Sequence, residues 1–468
     1  MSLPKPPDIR SADGAISLED FYAIPDSSRF MFIPTRTTWP RDSVDCILPK
    51  ILTGEKRNGK FVKIKPSDWL KQNRRVEQVT WMPGLPEVIE GKLLSDGGWK
   101  DRPGAHALNL YQPPQLVHGD ATQAGPWIEH VKRLYPGEAE DIINWHAHRV
   151  QFPGEKINYA LVMGGGQGIG KDWILEAVEK AVGEWNFHNV SSSELLDKNN
   201  PFVKAVVLRV NEAHDLGEGG RANRFAFYER VKNYAASPPN VLSCVDKYEK
   251  RIYVPNVLGL CITTNHKADG VYLENDDRRH LVAWSECKKE EFSTEFWTEK
   301  WHWLRNEGGA GHVAAYLAQR DLSSFNAGAV PRQTEAFFEI VHASQAPEDA
   351  EIADALDELG RPDIVTLAML VTTKRAATLE WLLDKKHRRS IPYKMETCGY
   401  VAVRNPDAEK SDGLWKIDGR RQTLYGRASL VSEQRQQAAR NHVLRLKKMS
   451  GNAESGMNEI LQHNRGNH

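Results

Sequence analysis

The chain has 468 residues, and its 62 Lys+Arg are balanced by 62 Asp+Glu, with 40% apolar residues. At ~150 residues per domain the length allows about three domains, and the apolar share excludes a wholly disordered chain. No apolar run approaches the ~18 residues of a membrane span, and residues 1–17 carry no apolar signal core, so a soluble intracellular protein is expected.

The five cysteines (Cys46, Cys244, Cys261, Cys287 and Cys398) are odd in number and form no C-x-x-C pair. That argues against a disulfide scaffold and a cysteine zinc site, and they read as buried free thiols. Net neutrality hides a bias. Residues 384–448 hold 16 Lys+Arg against 7 Asp+Glu, a local excess of +9, and residues 56–75 hold eight Lys/Arg against Asp68. Basic faces on a neutral chain suggest a polyanion partner.

Residues 1–125 are read as a mixed N-terminal domain of short strands and loops, because aromatics alternate with Pro and Gly. Residues 126–150 form a helical lead-in, with Trp127, Ile128, Val131 and Leu134 at helical spacing before a Pro-Gly break. Three short apolar runs follow: Tyr159–Met163, Ala205–Val210 and Val257–Thr263. Such runs suit strands covered on both faces of a parallel sheet, with helices over 171–182 and 223–236 between them. This predicts an α/β domain over 151–290.

Residues 291–360 read as helical, broken at Gly308-Gly309. Over 361–429, helical patterns at 364–370 and 376–384 precede a strand at Tyr400–Arg404. A hairpin then runs Leu414–Ile417, Asp418-Gly419, Gln422–Tyr425. Together they suggest a winged helix-turn-helix. Residues 430–468 read as a basic helix over 430–448 and a disordered tail from Ser450 on.

The sharpest motif is Gly165-Gly166-Gln167-Gly168-Ile169-Gly170-Lys171-Asp172. It matches G-x-x-x-x-G-K and departs at the last position, where Ser or Thr is usual. Glycines let successive backbone N–H groups curl around a polyphosphate, and the helix that follows adds positive potential. Lys171 supplies a point charge for the β- and γ-phosphates of ATP. Asp172, a hard oxygen ligand, is a candidate Mg²⁺ neighbour.

Hydrolysis needs more residues. The second apolar run ends in Asn211-Glu212, and Glu212 can hold the attacking water and a metal-bound water beside the γ-phosphate. The third ends in Thr263-Thr264-Asn265, whose amide can orient that water and sense the phosphate. Asp276-Asp277-Arg278-Arg279 follows. Arg278 or Arg279 can stabilise transition-state charge, and the sequence does not choose between them.

This order of motifs resembles the superfamily-three helicases of the AAA+ class. It resembles in particular the helicase portion of phage, prophage and plasmid primase-helicases, the poxvirus-type D5-like group. Phe152-Pro153-Gly154-Glu155-Lys156 and Val245-Asp246-Lys247-Tyr248 look like that group, and the likeness is densest over 143–290, with weaker likeness at Asn109-Leu110-Tyr111 and 391–427. The resemblance implies a ring, usually a hexamer, with ATP between subunits and an arginine arriving from the neighbour. It also implies a pore-facing hairpin, here 244–253, whose Lys247, Tyr248, Lys250 and Arg251 contact single-stranded or forked DNA. Arg388, Arg389, Arg420 and Arg421 of the winged element would hold DNA phosphate.

No primase constellation is visible before the loop, so a separate primase or polymerase is an expected partner, and the host bacterial cytoplasm the expected location. The main reading is an ATP-driven replicative DNA helicase. An initiator or loader using ATP as an assembly switch is the alternative, with a viral-type RNA helicase also open. A small-molecule P-loop kinase is disfavoured by the Thr-Thr-Asn strand.

Overall fold

The computed structural model describes residues 16–24, 29–211, 220–247, 251–267, 271–384, 387–388, 390–408, 412–417 and 419–446. The chain divides into two compact units, 1–341 and 342–468.

The first unit begins with an antiparallel sheet of Phe21–Ala23, Arg29–Phe32 and Thr37–Pro40. Phe21, Phe32 and Trp39 meet ring to ring, and helices Arg41–Ile47 and Pro66–Asn73 close this small core with Val44 and Leu70. A second sheet places Gly98–Asn109 between Gln78–Thr80 and Val88–Ser95. At its end the buried Asn109 side chain accepts from Met82 N (2.9 Å) and donates to Met82 O (2.8 Å) and Leu85 O (3.0 Å). One amide thereby fixes the turn at 82–86.

That turn is seated against the central domain. A Cβ at Gly154 would lie 2.8 Å from Pro83 O, so the Phe152–Lys156 motif needs glycine there for backbone to meet backbone. Around it, buried Arg149 donates to Val257 O (2.7 Å), Phe152 O (3.2 Å) and Glu155 O, and Lys156 donates to Tyr234 O and to Leu258 O (2.7 Å). Burial pushes the Arg149 guanidinium down to about 9 and the Lys156 ammonium well below its ordinary range. Carbonyl oxygens are what both cations have in place of water.

The central sheet has five strands: β1 (Ala160–Gly165), β2 (Phe187–Ser191), β3 (Val207–Asn211), β4 (Gly259–Thr264) and β5 (His280–Ser285). All pairs are parallel, in the order β2-β3-β4-β1-β5. Helix α1 (Lys171–Val182) follows β1 directly, and α2 (Gly220–Ala235) lies between β3 and β4. Every residue of β1 and β4 is buried, as expected of strands covered on both faces. Helices Gly125–Leu134, Ala139–Gln151, Thr294–Asn306 and Gly309–Gln319 supply apolar partners such as Trp127, Trp145, Leu304 and Val313. Neighbouring strands β1 and β4 are not consecutive in the chain. Their carboxyl ends therefore open the crevice where open α/β sheets bind ligands.

In the second unit, Leu424–Arg427 lies between Ile364–Val365 and Tyr400–Val403 in an antiparallel sheet. The hairpin is shorter than the sequence suggests: Trp415–Ile417 pairs with Arg420–Gln422, and the chain from Leu424 leaves for the other sheet. Residues 364–365 are strand, helix beginning only at Leu367–Leu370. Helix Ile391–Thr397 adds Met395 to a core with Ile352, Leu356 and Tyr400. Residues 432–446 are helical. All five cysteines are free, as read from the sequence, but Cys46 is exposed and Cys287 half-buried. Among the described residues no helix is long and apolar enough to cross a membrane.

Candidate functional site

The loop leaves β1 at Gly165 and enters α1 at Lys171. Gly170 caps the helix with φ +97°, where a Cβ would lie 2.2 Å from the Trp297 ring and 2.4 Å from His130 Nε2. Only glycine meets both demands. Lys171 is buried, and its Nζ donates to Gly165 O (2.6 Å), Gly166 O (2.9 Å) and Asn265 Oδ1 (2.8 Å). Asn265 follows directly on Thr264, the last residue of β4, which pairs with Gly164 of β1. The lysine thus ties together two strand ends that are distant in sequence.

A cavity of about 120 Å³ opens here, lined by residues 167–172 with Arg209, Thr263, Thr264 and Asn265. Gln167, Gly168 and Asp172 are exposed at its mouth. The Asp172 carboxylate accepts from Arg209 Nη2. Arg209 is inconspicuous in the sequence because it sits inside an apolar run. A guanidinium in the middle of a two-face buried strand was itself the signal.

The loop rests on an aromatic floor. His130 Nε2 is 3.1 Å from Ile169 O, and its ring meets Trp173, Phe292 and Trp297 edge to face. Burial, helped by nearby Lys300, pushes its pKa from 6.5 down to about 4, so the ring is neutral at pH 7 and donates to Ile169 O. Burial likewise lowers His146 and His148 to about 3. An unfolded chain protonates all three near pH 6.5, whereas the folded chain resists. Stability therefore falls as pH drops through that window, by about 1.4 kcal/mol per pH unit for each histidine. Thermal melts between about pH 7 and about pH 5 should show a steadily falling Tm. A constant Tm would contradict this reading.

Arg278 and Arg279 lie elsewhere. They precede β5, whose His280 pairs with Ala160 at the amino end of β1, and Arg279 O accepts from Ala160 N (2.8 Å). The loop is at the other end, so five strand steps, roughly 16 Å, separate them. Arg278 is exposed and Arg279 half-exposed. Their neighbour Asp277 is committed elsewhere: it accepts from Arg279 N, His280 Nδ1 and Tyr228 OH. Burial alone would raise its pKa, but His280 and these hydrogen bonds hold it down to about 2.

Strands Val241–Cys244 and Ile252–Pro255 form the hairpin before β4, braced by Thr80 Oγ1 donating to Tyr253 O (2.9 Å). Lys247 and Arg251 are exposed near its tip. In the second unit Arg388, Arg420 and Arg421 are exposed, Arg421 pairing with Asp412. Glu212, Tyr248, Lys250 and Arg389 lie outside the described residues. Among the described residues no cluster of three or more His, Cys, Asp or Glu is arranged to hold a metal.

Residues 162–279 match a family described as a family of unknown function (DUF5906). A DNA primase-polymerase of Nitratiruptor phage NrS-1 is 25% identical over 231 residues, which cover 47% of this chain and 31% of that protein. The match thus spans less than a third of that relative's length. Among solved structures, the apo form of the NrS-1 C-terminal region is 17% identical, with a TM-score of 0.48 over 80% of this chain and 92% of that one. JCV helicase is 11% identical, with a TM-score of 0.28 over 52% and 66%.

A parallel sheet ordered β2-β3-β4-β1-β5, with the glycine loop between β1 and α1, defines a mixed α/β core with its candidate phosphate site at the carboxyl ends of the strands.

Proposed function

We propose that the chain is an ATP hydrolase that drives a ring-forming DNA helicase in the replication of a phage or mobile element. The observation that carries this reading is the bond from Lys171 Nζ to Asn265 Oδ1 across the ends of β1 and β4. It joins the phosphate-binding lysine to the residue that reports on the phosphate.

The residues suit a magnesium-bound triphosphate. The loop offers backbone N–H groups and a helix amino end. Lys171 holds three oxygen acceptors that phosphate oxygens can replace. Asp172 is one exposed carboxylate, and magnesium commonly takes one or two carboxylates besides phosphate oxygens. Bound there, magnesium would neutralise charge on the β- and γ-phosphates. Glu212 follows Asn211 at the end of β3 and is assigned the attacking water, with Asn265 orienting it. Arg278 or Arg279 stands too far along the sheet to serve its own loop, so it is assigned to the neighbouring subunit's site. That assignment requires self-association, most simply a hexameric ring.

The hairpin tip carries Lys247 and Arg251, with Tyr248 and Lys250 between them in sequence, and is assigned to single-stranded DNA. The second unit is read as a winged helix that holds DNA phosphate through Arg388, Arg389, Arg420 and Arg421. A separate primase or polymerase completes the replication machinery, and a pull-down from producing cells should recover it. The setting proposed is the host cytoplasm.

Strand displacement on a forked duplex with ATP tests the reading. Unwinding is the expected result, and hydrolysis without unwinding would favour the assembly-switch alternative. The Lys247→Ala, Arg251→Ala double variant should lower the DNA-stimulated hydrolysis rate about fivefold or more, since each lost phosphate contact weakens strand binding. DNA stimulation equal to that of the parent would reject the hairpin's role.

A further inference from the structure

A strand covered on both faces is a costly place for a guanidinium. Arg209 sits there, in β3 between the fully buried Leu208 and Val210. Its side chain, 15% exposed, reaches the cavity shared by Lys171 and Asn265. There Nη2 donates to the Asp172 carboxylate, and Nε lies 3.4 Å from Thr263 Oγ1.

Asp172 stands where this type of loop usually carries Ser or Thr. A carboxylate at that place repels an incoming polyphosphate. Arg209 offsets the added charge. Lys171, Asp172 and Arg209 together carry +1, the same as Lys171 beside a hydroxyl.

We propose that Arg209 is the positioning residue that makes an Asp-ended phosphate loop usable by a nucleoside triphosphate. It neutralises Asp172 and fixes one carboxylate oxygen, leaving the other to face a bound metal. The planar guanidinium suits this task better than an ammonium, because it is always charged and directional. Arg209 acts through Asp172, so its effect depends on what occupies position 172. The inference rests on the nucleotide reading of the loop.

The test is a titration of full-length protein with fluorescently labelled ATP and magnesium, using Arg209→Met, Arg209→Lys, Asp172→Thr and the Arg209→Met, Asp172→Thr double variant. Arg209→Met should weaken binding about tenfold or more, and Arg209→Lys by about threefold. The double variant should return to within about threefold of Asp172→Thr alone, because no carboxylate then needs an arginine. A merely structural arginine would leave the double variant as weak as Arg209→Met, and that result overturns the proposal. So does an Arg209→Met variant that binds within about twofold of the parent. Arg209→Gln replaces Arg209→Met in both comparisons if the latter does not fold. The two levels fail differently. Parent protein that binds labelled ATP no better than Lys171→Ala removes the nucleotide reading and this inference with it, whereas normal parent binding with an indifferent Arg209 removes the inference alone.

Discussion

Lys171→Ala is expected to lower affinity for magnesium–ATP by about 100-fold or more. The ammonium donates to three oxygens in the structure, two of them carbonyls of the loop itself. A triphosphate offers charged oxygens in their place, and charge-assisted hydrogen bonds contribute about 1.5–3 kcal/mol each. Losing two such bonds reaches the stated factor. Isothermal titration calorimetry reads it, with a melting curve to show that the variant is folded. Unaltered affinity would mean that the loop does not hold phosphate through this lysine.

The second large effect concerns the arginines. The Arg278→Ala, Arg279→Ala double variant and Lys171→Ala should each hydrolyse ATP slowly, since an arginine at the γ-phosphate is worth about 10³-fold or more in rate. Mixed one to one, they should recover activity. The double variant supplies an intact loop, and Lys171→Ala supplies intact arginines. In a ring assembled at random, about one quarter of the contacts then pair a sound loop with sound arginines. The arginines adjoin Ala160 at one end of β1, and the loop leaves Gly165 at the other. A mixture as inactive as its components would contradict an arginine donated between subunits.

The sequence made the central strands legible for a physical reason. Strands buried on both faces must be apolar throughout, so Tyr159–Met163, Ala205–Val210 and Val257–Thr263 stand out against a mixed background. The observed β1, β3 and β4 lie within one or two residues of those runs. The glycine loop was legible because its conformation admits few other residues. Pairings between distant segments were not. Nothing local indicates that Asn109 fastens the 82–86 turn, or that His130 supports Ile169 from a helix forty residues earlier. Arg209 was hidden by the rule that revealed its strand: an apolar window absorbs a single charge. The hairpin after Trp415 was found through its Asp-Gly turn. Its return strand is expected two to three residues too late, at Gln422–Tyr425 where the structure has Arg420–Gln422, because Leu424 and Tyr425 continue the apolar alternation while pairing with Val403 and Ala402 of another sheet.

The most direct test of the central claim is the structure of the protein with a non-hydrolysable ATP analogue, magnesium and single-stranded DNA. A triphosphate is expected along the backbone of residues 166–171. Lys171 Nζ should have moved from the Gly165 and Gly166 carbonyls onto its oxygens, with Asn265 beside the terminal phosphate. Analogue bound away from this loop, or a loop still closed on its own lysine with nucleotide at saturation, would contradict it.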